Sequence, residues 1–259
     1  MFRLVYLIKK RIIMKRNSLL LIFLIFYKLN AQNHTTFGII NDNDGFTNIR
    51  SDDLKKVIDK IKINQVFAES PTMDEKNNSV FIEYPDWSQG KKKIEVYVNK
   101  TKSGYIDRSR VKYLSELPQF KETIVEDKSI IFSNKNTIIN VKIGIFDKTK
   151  HKIKYTKDSD FVEKIDGFGT WGTDGVIFPN LKEIKSITIN YNGKLTTFPK
   201  ESLRNLFLPS TNPDLVGVAE STDNTLFLYM SNGDGDGGYN VVWTIKNGIV
   251  ISQYFNVGF

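Results

Sequence analysis

Few residues in this chain are placed to do chemistry. Residues 231–239 read Ser-Asn-Gly-Asp-Gly-Asp-Gly-Gly-Tyr, so that Asn232, Asp234 and Asp236, followed by Gly237, occupy positions one, three, five and six of a calcium loop. Alternating oxygen donors in such a loop wrap a hard cation, and the glycine lets the chain reverse. The bidentate acid needed at position twelve is replaced by Trp243, inside a strand-like run. Two readings stand side by side: a calcium site completed by a ligand from elsewhere, or an acidic hairpin joining runs 226–230 and 239–245. A second Gly-rich stretch, 167–175, has no Walker lysine and no strand-to-helix context, which argues against a phosphate cradle. Its glycines instead let the chain fold tightly around Trp171, which would plug a core edge. The stretch Asn41-Asp42-Asn43-Asp44-Gly45 reads as an Asx-rich turn.

Catalysis has little to work with. The chain contains no cysteine and two histidines, His34 and His151, which removes thiolate nucleophiles, disulfides and zinc–cysteine sites and leaves almost no room for a histidine-based zinc site. His151 sits among Lys148, Lys150 and Lys152, cations that disfavour imidazolium. No Gly-x-Ser-x-Gly elbow is present. Acids are plentiful, but none is marked by its local context as half of a carboxylate pair for glycoside cleavage. The aromatic residues Tyr84, Trp87 and Tyr105 are the candidate ligand contacts, because aromatics with a polar tip are common at binding surfaces. The competing reading has Tyr84 and Tyr105 packing a core or rim.

The elements that must position these residues are mostly strands. Runs of β-branched and aromatic residues recur at 37–40, 80–84, 94–98, 129–132, 137–145, 184–191, 226–230, 239–245 and 249–255, separated by Gly, Asn, Asp and Lys. This spacing predicts a mainly β protein with minor α content, built from antiparallel sheets and hairpins rather than βαβ units. Asn192-Gly193 and Asn247-Gly248, each between alternating runs, predict two-residue hairpin turns. One short helix is predicted over 199–207, with Pro199 in its first turn and Leu203, Leu206 and Phe207 on one face. A polar stretch around Pro118 predicts a linker at 118–126 between a first domain, 32–117, and a second, β-rich α+β domain, 127–259.

With 40% hydrophobic and 25% charged residues, the 259-residue chain can bury a real core, which argues against wholesale disorder and a polytopic membrane protein. Its net charge of +8 is a local feature. Residues 1–31 hold seven bases and no acid; without them, 30 Lys and Arg face 29 Asp and Glu. The remainder has no basic stripe of the kind nucleic-acid binding needs, and Lys91-Lys92-Lys93 reads as a solvated loop. From Met14 the chain shows a basic start, an apolar run at 18–27 and Ala31, the parts of a secretory signal, with cleavage expected after Ala31. A helix of that run spans only ~15 Å of a ~30 Å hydrocarbon core. The competing reading, an uncleaved anchor over 2–27, is split by Lys9-Lys10-Arg11; Met14 is then the true start and residues 1–13 an upstream extension. The predicted address is periplasmic or secreted, without a membrane span after processing, and the lack of cysteine suits it.

Two landmarks lie within residues 38–113. The first is Asp44-Gly45-Phe46-Thr47-Asn48-Ile49-Arg50-Ser51, and the second is Ser103-Gly104-Tyr105-Ile106-Asp107-Arg108-Ser109-Arg110-Val111. On strand alternation alone, Ile49 points inward while Asn48 and Arg50 face the other side and brace a loop. Gly45 and Gly104 stand where a strand turns sharply. In order and spacing the two segments resemble the opening and close of the bacterial SH3-like domain. Asp52-Asp53-Leu54 follows where the family commonly has Gly-Pro, and 70–93 looks like a long insertion. The resemblance implies a small β-barrel in which Gly45, Asn48, Arg50, Ser51, Gly104, Ser109 and Arg110 are motif positions. It also implies a targeting role toward cell-wall peptide or another envelope protein. The C-terminal region resembles that of uncharacterised exported bacterial proteins and brings no activity with it. The expectation is an exported, non-enzymatic binding protein with no cofactor other than the calcium considered above. The alternative is an envelope hydrolase of carbohydrate or peptide that uses the first domain for targeting.

Overall fold

A computed structural model of the chain describes residues 36–70, 75–86, 101–125, 128–157, 159–233 and 237–256. The leader, His34, Trp87, the lysine triplet, run 94–98, Asp234 and Asp236 lie outside these residues. The fold is mainly β, and among the described residues the helices are 3-10 turns of three or four residues. Among the described residues no helix is long and apolar enough to cross a membrane.

The first seven strands form one curled antiparallel sheet, a half-barrel. In spatial order it runs β3 (Val57–Lys62), β2 (Phe46–Arg50), β6 (Thr101–Asp107), β5 (Ser79–Pro85), β4 (Phe67–Glu69), β1 (Thr36–Ile40) and β7 (Val111–Tyr113). Its concave side is filled by Ile40, Ile49, Ile61, Phe67, Val80, Ile82, Tyr84 and Ile106. Gly38 faces the Phe67 ring so closely that a Cβ would lie 2.6 Å from Cζ, which is how a thin sheet accommodates so large a side chain.

The remaining chain builds a sandwich. One sheet runs β14 (Lys194–Thr197), β13 (Lys182–Tyr191), β10 (Thr137–Ile145), β9 (Ser129–Asn134) and β8 (Lys121–Val125). The other runs β15 (Val216–Glu220), β16 (Thr225–Asn232), β17 (Tyr239–Lys246) and β18 (Ile249–Asn256). In β10, Ile139, Val141 and Ile143 alternate inward onto Leu228, Met230 and Trp243 of the facing sheet. Both predicted hairpin turns are present. Asn192 and Gly193 have φ of 52° and 83°, and Asn247 and Gly248 have 52° and 73°. A small hairpin, β11 (Ile153–Tyr155) with β12 (Val162–Ile165), interrupts the path from β10 to β13 over a separate cluster of Phe146, Val162, Ile165, Leu181 and Phe207.

The predicted helix over 199–207 is reduced to a 3-10 turn, Lys200–Leu203. Leu203, Leu206 and Phe207 are buried as the periodicity requires. The chain nevertheless leaves helical geometry at Arg204, which is extended, and Asn205 follows with φ of 54°, its side-chain amide donating to the carbonyls of Ile165 at 3.1 Å and Gly169 at 2.8 Å. Those tertiary bonds outweigh a local helical preference worth only tenths of a kcal/mol per residue, about 0–0.7.

The four-stranded sheet is buried on both faces. Val241, Trp243 and Ile245 face the five-stranded sheet. Ala219, Phe227, Val242 and Tyr254 face Phe37, Ile39, Ala68, Leu114 and Leu117 of the half-barrel side. The stretch expected as a linker is part of this construction. Phe120 N–H donates to Val218 O, and Glu220 N–H to Pro118 O, both at 2.9 Å, so residues 118–120 pair with β15 before the chain enters the other sheet as β8. By their contacts residues 35–259 cluster as one compact unit, and the described part of the stretch expected as a linker, 118–125, is hydrogen-bonded within it.

Candidate functional site

The two landmark segments meet. Arg50 of β2 is the direct partner of Tyr105 of β6. Gly104 makes the approach possible: a Cβ there would lie 2.6 Å from Ile49 Cγ2 and 2.8 Å from the Arg50 carbonyl oxygen. Gly45, at φ +77°, closes the turn into β2, with its N–H donating to Asp42 O at 3.0 Å. Ile49 is buried and Arg50 is exposed, as alternation predicts, and Arg50 Nη1 braces the following loop at Leu54 O, 3.3 Å away. Asn48 is half-buried opposite Lys60. Ser51 Oγ donates to Asp53 at 2.6 Å and accepts from Lys56 N at 3.1 Å. The Ser51 hydroxyl, followed by the Lys55 amide, holds the Asp53 carboxyl below its ordinary range.

The close of the motif is equally tied. Asp107 caps the 3-10 turn Arg108–Arg110 by accepting from Ser109 N at 2.9 Å and Ser109 Oγ at 2.7 Å, and those bonds lower its pKa. Arg110 returns to the opening turn: its guanidinium pairs with the buried Asp42 carboxylate at 2.7 Å and its carbonyl accepts from Asn41 N. The motif residues Gly45, Arg50, Ser51, Gly104, Ser109 and Arg110 thus shape and fasten the half-barrel.

Tyr84 and Tyr105 do not share an exposed groove. Tyr84 lies on the concave face with Val80 and Ile82, at 1% exposure, and its hydroxyl donates to Asp59 Oδ2 at 3.4 Å. Burial, with Asp59 beside it, pushes this phenol well above its usual pKa. Lys102 closes that end of the half-barrel by bridging Asp59 at 3.2 Å and Asp86 at 3.1 Å. Tyr105 is opposite Phe81, hence on the convex face, and meets it edge-on at 5.1 Å. It is also fully buried, with Lys76 Nζ 4.8 Å from its ring centroid. The pleat fixes this outcome, since residues of opposite parity across β5 and β6 face opposite ways.

What the structure assembles around Tyr105 and the 3-10 turn is a charged surface that residue-by-residue reading missed. Arg108 Nη2 contacts Glu69 at 3.0 Å and Glu75 at 2.5 Å, while Nη1 donates to the Tyr113 hydroxyl at 2.7 Å. That hydroxyl in turn donates to Glu69. Burial, followed by Glu69, pushes the Tyr113 phenol up to about 12. The next residue, Lys76, pairs in the other direction, with Asp52 at 2.6 Å. Asp52, followed by Tyr105, holds the Lys76 ammonium above its ordinary pKa. Two polar atoms here are buried without a hydrogen-bond partner, Tyr105 Oη and Arg108 Nε. The only sequence signals were Asn77-Asn78, which form a tight turn at φ 48° and 60°, and Arg108 within the motif.

The Gly-rich stretches also converge. Gly172 N–H donates to Gly237 O at 2.7 Å, and a Cβ on Gly237 would lie 2.4 Å from Asp174 Oδ1. Trp171, half-buried, packs on Phe255 at the sandwich edge, as its plug role anticipated. The buried Asn232 uses its side-chain oxygen to accept from Ser210 N at 2.8 Å. Among the described residues no three His, Cys, Asp or Glu side chains converge as metal ligands. His151 has a carboxylate partner that the lysine-rich context hid. Its Nδ1 lies 2.7 Å from Asp166 Oδ2, fifteen residues on, and its ring stacks on Phe146. His151, followed by the Lys152 amide, lowers the Asp166 pKa. Among the described residues no serine or threonine hydroxyl hydrogen-bonds to this pair. A cleft of about 210 Å³ beside Phe198, Pro199 and Ile249 is smaller than the ~300 Å³ at which ligand pockets begin.

Fold and site together define a mainly β protein that carries a charged, aromatic-backed surface on a half-barrel fastened to a sandwich. Set against known proteins, the chain matches no family model, no curated protein and no solved structure.

Proposed function

We propose that this chain is an exported, non-enzymatic binding protein whose half-barrel, read as a bacterial SH3-like domain, docks a cell-wall peptide or an envelope protein. The observation that carries the reading is the meeting of both landmark segments under one surface, where Arg108, Glu75, Lys76 and Asp52 present both signs of charge over Tyr105. Arginine is among the residues that dominate binding energy at interfaces, and Arg108 is one-third exposed here. The basic, apolar leader supports export. Among the described residues the hydrolase alternative can draw on the His151–Asp166 contact, to which no serine or threonine hydroxyl there is bonded.

The test uses the full chain, because the half-barrel shares buried surface with the four-stranded sheet. The protein is mixed with purified peptidoglycan sacculi and with an envelope protein fraction, and sedimentation or capture is compared with that of Arg108→Ala. Retention weakened by the substitution supports docking through this surface. Failure to bind either material, or turnover of sacculi by the purified chain, overturns the proposal.

A further inference from the structure

The β4-to-β5 connection ends in a rigid turn. Lys76 N–H donates to Ser79 O at 3.0 Å and Ser79 N–H to Lys76 O at 2.8 Å, with Asn77 and Asn78 at the tip. This pairing fixes the Lys76 backbone but not the ends of the Glu75 and Lys76 side chains. Those side chains reach in opposite directions onto the half-barrel, the carboxylate to Arg108 and the ammonium to Asp52 and the face of Tyr105. Both pairs are solvent-exposed, Glu75 at 55% and Asp52 at 77%, and exposed pairs of this kind are readily exchanged for others.

The groups beneath them are less exposed and less satisfied. Arg108 is one-third exposed and anchored from behind by Glu69 and Tyr113, yet its Nε is buried without a partner. The Tyr105 side chain is fully buried beneath the Lys76 ammonium. Arg108 and Asp52 thus offer a cation and an anion whose present partners, Glu75 and Lys76, come from one short stretch of chain and can be exchanged at little cost.

We infer that the Glu75–Lys76 pair is an internal stand-in for a ligand, and that the site takes a protein or peptide segment bearing a carboxylate followed by an ammonium group. The ligand carboxylate replaces Glu75 on Arg108 Nη2, in a charge-assisted hydrogen bond. The ligand ammonium replaces Lys76 against Asp52 and over the Tyr105 ring. The inference rests on the half-barrel being the binding surface and adds the ligand's charge order and an internal competitor.

The test measures binding of the blocked peptide acetyl-Ala-Glu-Lys-Ala-amide to the full chain by titration calorimetry or NMR at low salt. In the variant carrying Glu75→Ala and Lys76→Ala the competitor is gone, so affinity should rise about threefold or more over the unsubstituted chain. Adding Arg108→Ala or Asp52→Ala should abolish that gain, and the reversed-order peptide acetyl-Ala-Lys-Glu-Ala-amide should bind more weakly. An unchanged melting temperature confirms that the double variant is folded. Equal or lower affinity after removal of the two side chains, or no preference for charge order, overturns the inference. Sacculus or envelope-protein binding that persists alongside such a result leaves docking standing and refutes only the ligand class.

Discussion

Asn64, in the turn between β3 and β4, donates from its side-chain amide to the Asp223 carboxylate of the β15–β16 turn, 2.8 Å away. This contact joins two layers of the fold at their rim. Lys246 Nζ reaches the same carboxylate at 2.9 Å, and the Ser221 hydroxyl donates to it as well. Although partial burial opposes it, this set of donors holds the Asp223 pKa far below the ordinary carboxylate value.

Because the folded-state pKa of Asp223 is depressed, its stabilisation is fully present above the unfolded carboxylate pKa of ~3.9, begins to fade below it and is lost only as pH falls through the depressed folded-state value. Asp223→Asn should cost about 1 kcal/mol at neutral pH, a figure already discounted for the half-exposed position. Thermal melts at pH 7 and pH 3 check this. The gap between the variant and the unsubstituted chain should be narrower at pH 3 than at pH 7 without closing, because pH 3 still lies above the depressed folded-state pKa, and a constant gap would show that the carboxylate charge is not involved.

Gly104 and Gly45 should respond differently to alanine. At Gly104 the new methyl meets the Arg50 carbonyl and Ile49, neither of which can move without opening the β2–β6 pairing, so a loss of about 2 kcal/mol or more is expected. At Gly45 nothing lies within 4 Å, leaving only the left-handed backbone cost of about 1 kcal/mol. Denaturant midpoints of the two variants decide the order.

Phe227→Ala removes a fully buried ring from the layer between half-barrel and sandwich and should cost about 3–5 kcal/mol. Because the layer is shared, calorimetry should still show one transition, displaced downward. Two resolved transitions, one unchanged, would mean that the half-barrel melts independently.

Asn205→Ala strips the Ile165 and Gly169 carbonyls of a buried donor and should cost about 1–3 kcal/mol. Amide hydrogen exchange locates the effect. Protection should fall around 165–172 and persist in β16 and β17.

The sequence was legible where a local rule acts. The alternation in 137–145 and the two Asn-Gly turns specify strands and hairpins without reference to the rest of the molecule. It was less legible where a partner is distant. Tyr84 and Tyr105 look alike in one dimension, and only the β5–β6 register reveals that they face opposite sides. Glu75 and Arg108 are 33 residues apart, and His151 meets Asp166 only because β11 folds back on β12. The residues of the shared layer, such as Phe37, Leu117 and Phe227, carry no mark that separates them from an ordinary core. The periodicity over 199–207 identified the buried side chains correctly but not the backbone, which Asn205 diverts through bonds to a remote loop.

Residues 118–120 hydrogen-bond to β15 in one sheet, and the next few residues run as β8 in the other. A stitch of this kind leaves no swivel. The half-barrel is thereby held at a set angle and distance from the sandwich, so the two behave as a bracket of fixed dimensions rather than beads on a string.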